Sequence, residues 1–536
     1  MSAADRHEVA VVGAGPGGLA SAMLLAAAGA RVRVFESMSV VGGRTSRITL
    51  DSNRGQFAFD RGPTFFLMPY VLEEIFAATG RTLTDYADLT RLDPMYRLIM
   101  GRGQSGEESP LRIDTTQDVS EMARRIAAID PRDGANFERF IRDTRTKLRL
   151  MEPILRSPMR GVGDVVAASS ARFLPHLSPH LSVDGLLSTY FRNPHVRMAV
   201  SFQSKYLGMS PLECPSLFSI LPFIEYEYGI WHPRGGCNAL MHAMADVCRE
   251  MGVEFRFNSP IAGIEFDGAR ATGIRLADGS IVEHGHVVVN ADASAALKRF
   301  IPEAVRLRFG SGLGGASDQH IDSRRYSCST YMLYLGIDGA ADLPHHTIYI
   351  SSDYRQNLED ITTNGVLSRD PSVYVCNPTP LDPTLAPCGC TSLYVLMPTP
   401  NTRVGSIDWR AESLRVREVV LEQLERRFGI ADIEQRIVVE KRITPLDWRD
   451  GADGMGAINF GATFNLAHNL MQMLHRRVAH KLEGLDGVWF VGGGTHPGSG
   501  LPVIFLSAQI GARMLAEELG LPAPRARPPA RAFAAA

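Results

Sequence analysis

Cysteine is scarce in this chain: seven residues in 536, an odd number, scattered from Cys214 to Cys390. Such a set builds no disulfide framework, which sets aside the small secreted scaffolds and fits a reducing compartment. The single tight pair, Cys388-Gly389-Cys390, has no partner pair at ligand spacing, so it reads as a turn and no metal site is expected. An excess of either charge is also missing. Lys and Arg number 56 against 58 Asp and Glu, a net charge of -2, without the basic domain of a nucleic-acid binder. Long apolar runs are lacking too. Residues 10–30 form 21 positions without a charge, a length that could cross a bilayer. Yet Gly13, Gly15, Pro16, Gly17 and Gly18 fall in its first half, where a helix interior tolerates glycine and proline badly. Neither a span nor a signal peptide is expected from it.

What is present is an ordinary globular composition, 45% hydrophobic and 21% charged, in a chain long enough for two to four domains. The apolar run 9–12 suits a buried parallel strand. A glycine-rich turn follows, then a helix over 19–28 closed by Gly29, then alternation of Val32 and Val34 with Arg31 and Arg33. This predicts a βαβ unit. A second block starts near Trp231. Asn238 is placed to cap a helix with the stripe Leu240, Met244, Val247, Cys248 and Met251, and strands follow at 253–257, 261–266, 272–276 and 287–290, with Asp278-Gly279 as a hairpin turn. A third block, 488–519, reads as strand, glycine-rich turn and a helix opening at Pro502. Residues 80–230 read as mostly helical and 300–440 as strands with proline-rich loops. The tail from Leu521 is too poor in large apolar residues to pack and is expected to be disordered.

The chemistry starts at Gly13-Ala14-Gly15-Pro16-Gly17-Gly18. The first glycine of this pattern makes a tight turn, the second lets backbone approach a pyrophosphate, and the third lets helix and strand pack closely. The helix N-terminus then offers unpaired N–H groups to phosphate. Glu36 lies 21 residues after Gly15, at the end of the second strand, where an acid binds a ribose hydroxyl. It favours an unphosphorylated ribose, so FAD or NAD over NADP.

Val41-Gly42-Gly43-Arg44 follows Glu36. Here the sequence resembles the flavoprotein group of amine oxidases, protoporphyrinogen oxidase and carotenoid desaturases, in which the E-x5-GGR arrangement marks bound FAD. Phe59-Asp60-Arg61-Gly62-Pro63-Thr64 resembles that group's next element, near the flavin ring. The stretch Gly487-Val-Trp-Phe-Val-Gly-Gly-Gly-Thr-His-Pro-Gly-Ser-Gly-Leu501, with Ser507, is similar to the C-terminal signature of bacterial-type phytoene dehydrogenases. Leu343-Pro-His-His-Thr-Ile348, Gly229-Ile-Trp-His-Pro-Arg-Gly-Gly236, Asn377 to Cys390 and Leu393 to Asn401 resemble the same family. The resemblance covers most of 8–515, weakly over 80–200. Arg61 departs from it, standing where the family has a small or apolar residue, and is expected to bring a cation near the flavin.

The resemblance implies an α/β fold. A discontinuous Rossmann-like FAD-binding domain (1–80, 231–300 and 440–520) is joined to an α+β substrate domain (81–230 and 301–439) with a helical, membrane-facing part, ahead of the tail 521–536. It implies FAD contacts at Gly13, Gly15, Gly18, Glu36, Gly42, Gly43 and Arg44. Further contacts are expected at Gly62, Pro63, Thr64, Ile261, Gly493, Gly494, Pro502 and Val503. Gly492 to Gly494 would lie against ribityl and flavin, and the helix opening at Pro502 would aim N–H groups at the flavin's pyrimidine edge, worth about 0.3–1 kcal/mol for the anionic reduced form.

The implied activity is desaturation of a long acyclic isoprenoid polyene such as phytoene. A hydride passes to flavin, a proton leaves, and oxygen or a quinone is the final acceptor. No catalytic side chain is assigned. The aromatic-rich run Leu217, Phe218, Ile220, Leu221, Phe223, Ile224, Tyr226, Tyr228 and Trp231 is a candidate channel lining. Residues 141–210 hold ten Lys or Arg and four acids, which suits peripheral attachment of a cytoplasmic protein to an anionic bilayer. Isomerase, saturase and terminal oxygenase activities are alternatives on the same scaffold. A prenyl-lipid-binding escort protein is the non-enzyme alternative, which the intact glycines, Glu36 and Arg44 disfavour.

Overall fold

A computed structural model of the chain describes residues 7–101, 110–167, 178 and 180–524. Residues 525–536 of the expected disordered tail lie outside these. Glu8–Val12 is the centre of a five-stranded parallel sheet, ordered Val488–Phe490, His286–Val289, Glu8–Val12, Arg31–Phe35, Glu254–Arg256. Its central strand is buried on both faces from Val9 to Val12, which is why it reads as a continuous apolar run. Helices Pro16–Ala27, Pro69–Ala78, Cys237–Glu250 and Leu501–Glu518 pack with it into one apolar core that includes Leu19, Met23, Leu72, Leu240, Met244 and Phe505. All five strands run the same way, so the glycine turn, Glu36, Asn290 and Val491 follow their ends on one edge of the sheet. That edge is where open α/β sheets bind ligands.

A second sheet of seven strands is ordered Ile437–Ile443, Ser329–Asp338, Cys390–Thr399, Val373–Cys376, His346–Ile350, Arg97–Met100, Leu111–Asp114. It is antiparallel except where His346–Ile350 meets Arg97–Met100. The helix Trp409–Arg426 covers one face: the Trp409 ring lies 6.0 Å from Tyr331, and Val416, Val420 and Leu424 are buried with it. The hairpin Arg47–Ser52/Gly55–Asp60 covers the other with Phe57 and Phe59. Gly336 leaves room for this, since a Cβ there would meet the Phe57 ring at 2.7 Å. A three-stranded sheet, Ile261–Asp267, Arg270–Leu276 and Ile281–Glu283, turns at Asp278-Gly279 as expected.

Three expectations change. The stretch 80–230 is mostly helical as expected, but it also contributes the strands Leu89–Arg91, Arg97–Met100 and Leu111–Asp114 ahead of its α-helices, which begin at Val119. The helix of the glycine turn starts at Pro16, ahead of Leu19. Asn238 does not cap its helix: the N-cap is Gly236, and Asp60 takes the capping part from a distant strand, accepting from the N–H groups of Cys237 (2.9 Å) and Asn238 (3.0 Å). The Asn238 amide donates to Thr45 O instead. Burial raises the Asp60 carboxyl to about 6, against the pull of those two N–H groups.

Several imidazoles are buried as neutral rings. Burial lowers His284 and His496 to about 4 and His345 and His480 to about 3, and takes His346 and His468 well below their ordinary value. Each has its folded pKa below the unfolded one near 6.5. The unfolded chain therefore takes up protons first, and stability present above pH 6.5 is lost as pH falls toward 4. Each such ring costs about 1.4 kcal/mol per pH unit inside that window. Asp60, Glu73 and Asp292, all raised by burial, act in the opposite sense, but three carboxyls do not offset six imidazoles. The thermal midpoint measured by calorimetry is expected to drop steeply from pH 6.5 to 5; an unchanged midpoint would contradict the burial of these rings.

Candidate cofactor cradle and active site

The glycine turn is held by the strand ends around it. Gly13 N donates to Phe35 O (2.8 Å), and Asn290 N donates to Val12 O (2.8 Å). The Asn290 amide donates to Gly13 O (3.2 Å). A Cβ at Gly13 would lie 2.5 Å from Asn290 O, one at Gly15 2.9 Å from its amide nitrogen, and one at Gly17 2.6 Å from its amide oxygen. A Cβ at Gly18 would overlap the Gly13 carbonyl. Gly13 also has φ +94°, the left-handed region that favours glycine. The helix Pro16–Ala27 begins at Gly15 with no side-chain cap and no acid in its first turn. Its first N–H groups and dipole therefore face the cleft with no carboxylate in that turn competing for them.

The other sequence-predicted residues close around this turn. Glu36 is buried; its carboxylate accepts from Ala14 N (2.7 Å), Met38 N (2.9 Å) and Ser37 Oγ (3.1 Å). Gly42 N donates to Ala14 O (2.8 Å), and a Cβ on Gly43 would touch Gly15 Cα at 3.6 Å. Arg44 donates to Thr463 O (2.8 Å), and burial lowers its pKa against the pull of Asp292. Gly62 packs on the Arg44 carbonyl, which a Cβ would approach to 2.6 Å. Thr64 Oγ1 shares a 2.6 Å hydrogen bond with Tyr374 OH. From the C-terminal block, a Cβ on Gly493 would meet the Asn465 amide at 2.7 Å, and one on Gly494 would strike Ala293. Gly500 caps the helix Leu501–Glu518, with Pro502 in its first turn. Ile504 of that turn sits 3.2 Å from where a Gly17 Cβ would be, so the two helix N-termini converge. Ile261 opens its own strand and belongs to the apolar cluster of Val12 and Phe35.

Arg61 is not free to act on a cofactor. Its Nε donates to Ser46 Oγ (2.9 Å) and its Nη1 pairs with Asp453 (3.0 Å), which also holds Lys441. The cation expected near the flavin is thereby paired.

Asn290, Asn465, Arg477 and His468 join this site without having been expected from the sequence, whereas Thr495 and Ser507 belong to the C-terminal signature. Asn290 and Asn465 brace the two glycine turns. Arg477, buried, donates to Gly493 O (3.1 Å), and His468 Nε2 accepts from Ser499 N (3.3 Å). Ser507 Oγ accepts from Gly492 N (3.0 Å) and contacts Thr495 Oγ1 (2.7 Å). Asn290 carried one legible signal: a polar amide at the carboxyl end of an apolar strand. The candidate channel run divides. Phe223 and Tyr226 are core, Tyr226 lying edge-on to Phe137 at 5.1 Å, while Phe218 stands edge-on to His468 at 5.6 Å beside the C-terminal glycine turn.

A glycine-floored trough joins two helix starts without side-chain caps to the buried Glu36 and the partly buried Arg44. This suits a dinucleotide whose pyrophosphate needs N–H donors without side chains in the way.

Comparison with known proteins bears on which one. The profile of flavin containing amine oxidoreductases matches residues 16–321. A 4,4'-diapophytoene desaturase (4,4'-diapolycopene-forming) of Methylomonas sp. is 38% identical over 515 residues, 96% of each chain. An all-trans-zeta-carotene desaturase of Myxococcus xanthus is 38% identical over 96% of this chain and 94% of its own. A neurosporene-forming phytoene desaturase of Rhodobacter capsulatus is 32% identical over 97% and 95%. Among solved structures, an oxidoreductase from Methanosarcina mazei aligns over 95% of this chain and 100% of its own with TM-score 0.62 at 16% identity. A putrescine oxidase aligns over 96% and 98% with TM-score 0.56, also at 16% identity. These two likenesses concern the fold. FAD is therefore the cofactor, and the chain belongs to the flavin-containing amine oxidoreductase family, within its carotenoid desaturases.

Proposed function

We propose that the protein desaturates a long acyclic isoprenoid polyene such as phytoene, using FAD as the hydride acceptor. The observation that carries this is near full-length identity of 32–38% to desaturases of several different carotenoids, on a chain whose glycine cradle is intact.

In this reading the parts 1–80, 231–300 and 440–520 hold FAD, and 81–230 with 301–439 hold substrate. Gly13, Gly15 and Gly18 give the pyrophosphate its approach to the helix at Pro16, and Glu36 takes a ribose hydroxyl. Gly42, Gly43 and Arg44 close over the phosphates, with Ile261 flanking the nucleotide end. Gly62, Pro63 and Thr64 face the ring from one side, and Gly493, Gly494, Pro502 and Val503 from the other. The protein's task is to hold the polyene bond roughly 3–3.5 Å from its acceptor and keep water out. Phe218, beside His468, is placed to line that approach. Oxygen or a quinone takes the electrons afterwards.

A polyene substrate implies contact with a lipid surface. Among the described residues, no helix is long and apolar enough to cross a membrane, so we read attachment as peripheral, on the cytoplasmic side. The basic region 141–210 supports this through fewer residues than its composition suggests. Arg145, Arg156 and Arg197 pair with Glu227, Glu74 and Asp184, and desolvation lowers the partly buried Lys205 to about 7. Arg172 lies outside the described residues. Arg142, Arg149, Arg160 and Arg192 remain exposed, and Val162 beside Arg160 is 64% exposed.

Three outcomes follow. Reconstituted with FAD and phytoene in liposomes, the protein should give a longer-wavelength polyene whose mass falls in steps of two hydrogens; unchanged mass or added oxygen would sink desaturation. Gly15→Leu should purify without flavin, and a full complement of FAD in that variant would refute the cradle. Reversing Arg142, Arg149 and Arg160 to Glu should weaken binding to anionic vesicles by at least tenfold, given roughly 1 kcal/mol per basic residue near the surface. Equal binding would move the lipid contact elsewhere.

A further inference from the structure

The C-terminal glycine turn packs on a charge that has no counter-charge. Arg477 follows the short turn of helix Leu474–Arg476, and the next residue, Val478, bridges to Thr495. The Arg477 side chain is thereby brought against the turn 492–499. It is 2% exposed. Its Nη1 donates to Gly493 O (3.1 Å) and its Nη2 to Leu466 O (3.4 Å), while its Nε has no partner among the described residues. A Cβ on Gly498 would lie 3.6 Å from Nη2, so the turn rests directly on the guanidinium. Burial, and then the repulsion of Arg324, lower Arg477 to about 10, which leaves it charged at neutral pH. His468, on the same side of the turn, is a neutral ring.

A buried cation without an acid is costly for a fold to keep. Among the described residues two other arginines are buried to this degree, and each holds an aspartate: Arg61 pairs with Asp453 and Arg306 with Asp318. Arg477 holds only main-chain carbonyls. Its main partner is one end of a peptide. Gly493 O and Gly494 N–H belong to the same planar trans unit and point opposite ways. A cation donating to the carbonyl polarises that unit and makes the N–H at its far end a stronger donor. Gly494 is buried, and its N–H has no acceptor among the described residues. Buried N–H groups left without an acceptor are rare. This one points away from Arg477, and Gly494 is one of the residues assigned above to the flavin ring.

A hydride brings two electrons and one proton, so a neutral ring that accepts it gains one negative charge. We propose that Arg477 is a positioning residue for that charge: it strengthens the Gly494 N–H as a donor to the flavin and sets a cation behind the turn, so that the cradle holds reduced flavin more tightly than oxidised. This rests on FAD lying with its ring against Gly493 and Gly494. The cation stands unpaired while the flavin is oxidised and is matched when it is reduced. A cation serving the pyrophosphate would behave otherwise. The two phosphates carry the same charge in both redox states, so such a cation would raise the affinity for FAD and leave its potential where it was.

Arg477→Gln removes the charge and keeps an amide donor for Gly493 O; Arg477→Lys keeps the charge. The two-electron potential of the bound flavin is read against reference dyes, without polyene, beside the dissociation constant of oxidised FAD. Arg477→Gln is expected to bind oxidised FAD as the parent does and to lose at least tenfold of its preference for reduced flavin, a potential about 30 mV more negative. Arg477→Lys is expected to stay near the parent potential. An unchanged potential in Arg477→Gln would overturn the proposal, and weaker FAD binding alongside it would assign the charge to the pyrophosphate. An equal fall in both variants, the mark of lost packing, would overturn it too. If Arg477→Gln purifies without flavin, Arg477→Met, which buries no polar head, takes its place; loss of flavin from both would assign Arg477 to holding FAD and overturn the proposal. A chain idle on every polyene leaves this measurement standing, and an unchanged potential leaves the desaturase reading standing.

Discussion

The contact between Asn290 and the turn Gly13–Gly18 sets the geometry of everything around it. The strand carrying Asn290 pairs with the first strand from Val9 to Val12, so its last residue arrives under the glycine turn. Backbone and amide of Asn290 then occupy the space where side chains at Gly13, Gly15 and Gly17 would be. The turn is forced close to the sheet edge, and the helix at Pro16 points its first N–H groups across the cleft. Gly42 and Gly43 dock on Ala14 and Gly15, and Gly62 docks on the Arg44 carbonyl, an approach that only a missing Cβ permits. The geometry of the turn is thus built from missing side chains along one segment and a single Asn290 from another part of the chain.

The cradle and the substrate sheet are joined by the hairpin Arg47–Asp60. One side of it buries Phe57 and Phe59 against Met332, Tyr334 and Tyr394 of the seven-stranded sheet. Its end delivers Asp60 to the start of the helix Cys237–Glu250 and Gly62 to Arg44. The pairing of Arg61 with Asp453 belongs to the same joint. A buried guanidinium without a carboxylate would be very costly; here it ties two segments together across the sheet. The seven-stranded sheet and residues 62–64 are thus joined through this element.

What the sequence disclosed was local. The strand, turn and helix around Gly13 are read from glycine spacing and apolar runs, because each signal sits within a few residues of what it specifies. Glu36 and Arg44 follow at fixed distances along the chain. The partners that make the site work come from afar: Asn290 lies 277 residues from Gly13, Asp453 lies 392 from Arg61, and Tyr374 lies 310 from Thr64. No periodicity announces such pairs. Asn238 shows how a local rule fails. It has the right side chain to cap a helix, but Asp60, 177 residues from Cys237, fills that place with a stronger acceptor. The strands Leu89–Arg91, Arg97–Met100 and Leu111–Asp114 were hidden for another reason: they are three or four residues long, too short for alternation to show against the helical stretch that follows.

On the proposed function, one FAD in this cradle takes hydride from the polyene. Anaerobic titration of the holoenzyme with substrate, following the visible flavin band and the product together, tests this most directly. One new double bond is expected for each flavin bleached, with the reaction stopping when the flavin is reduced. Product formed while the flavin stays oxidised, or bleaching without product, would contradict it.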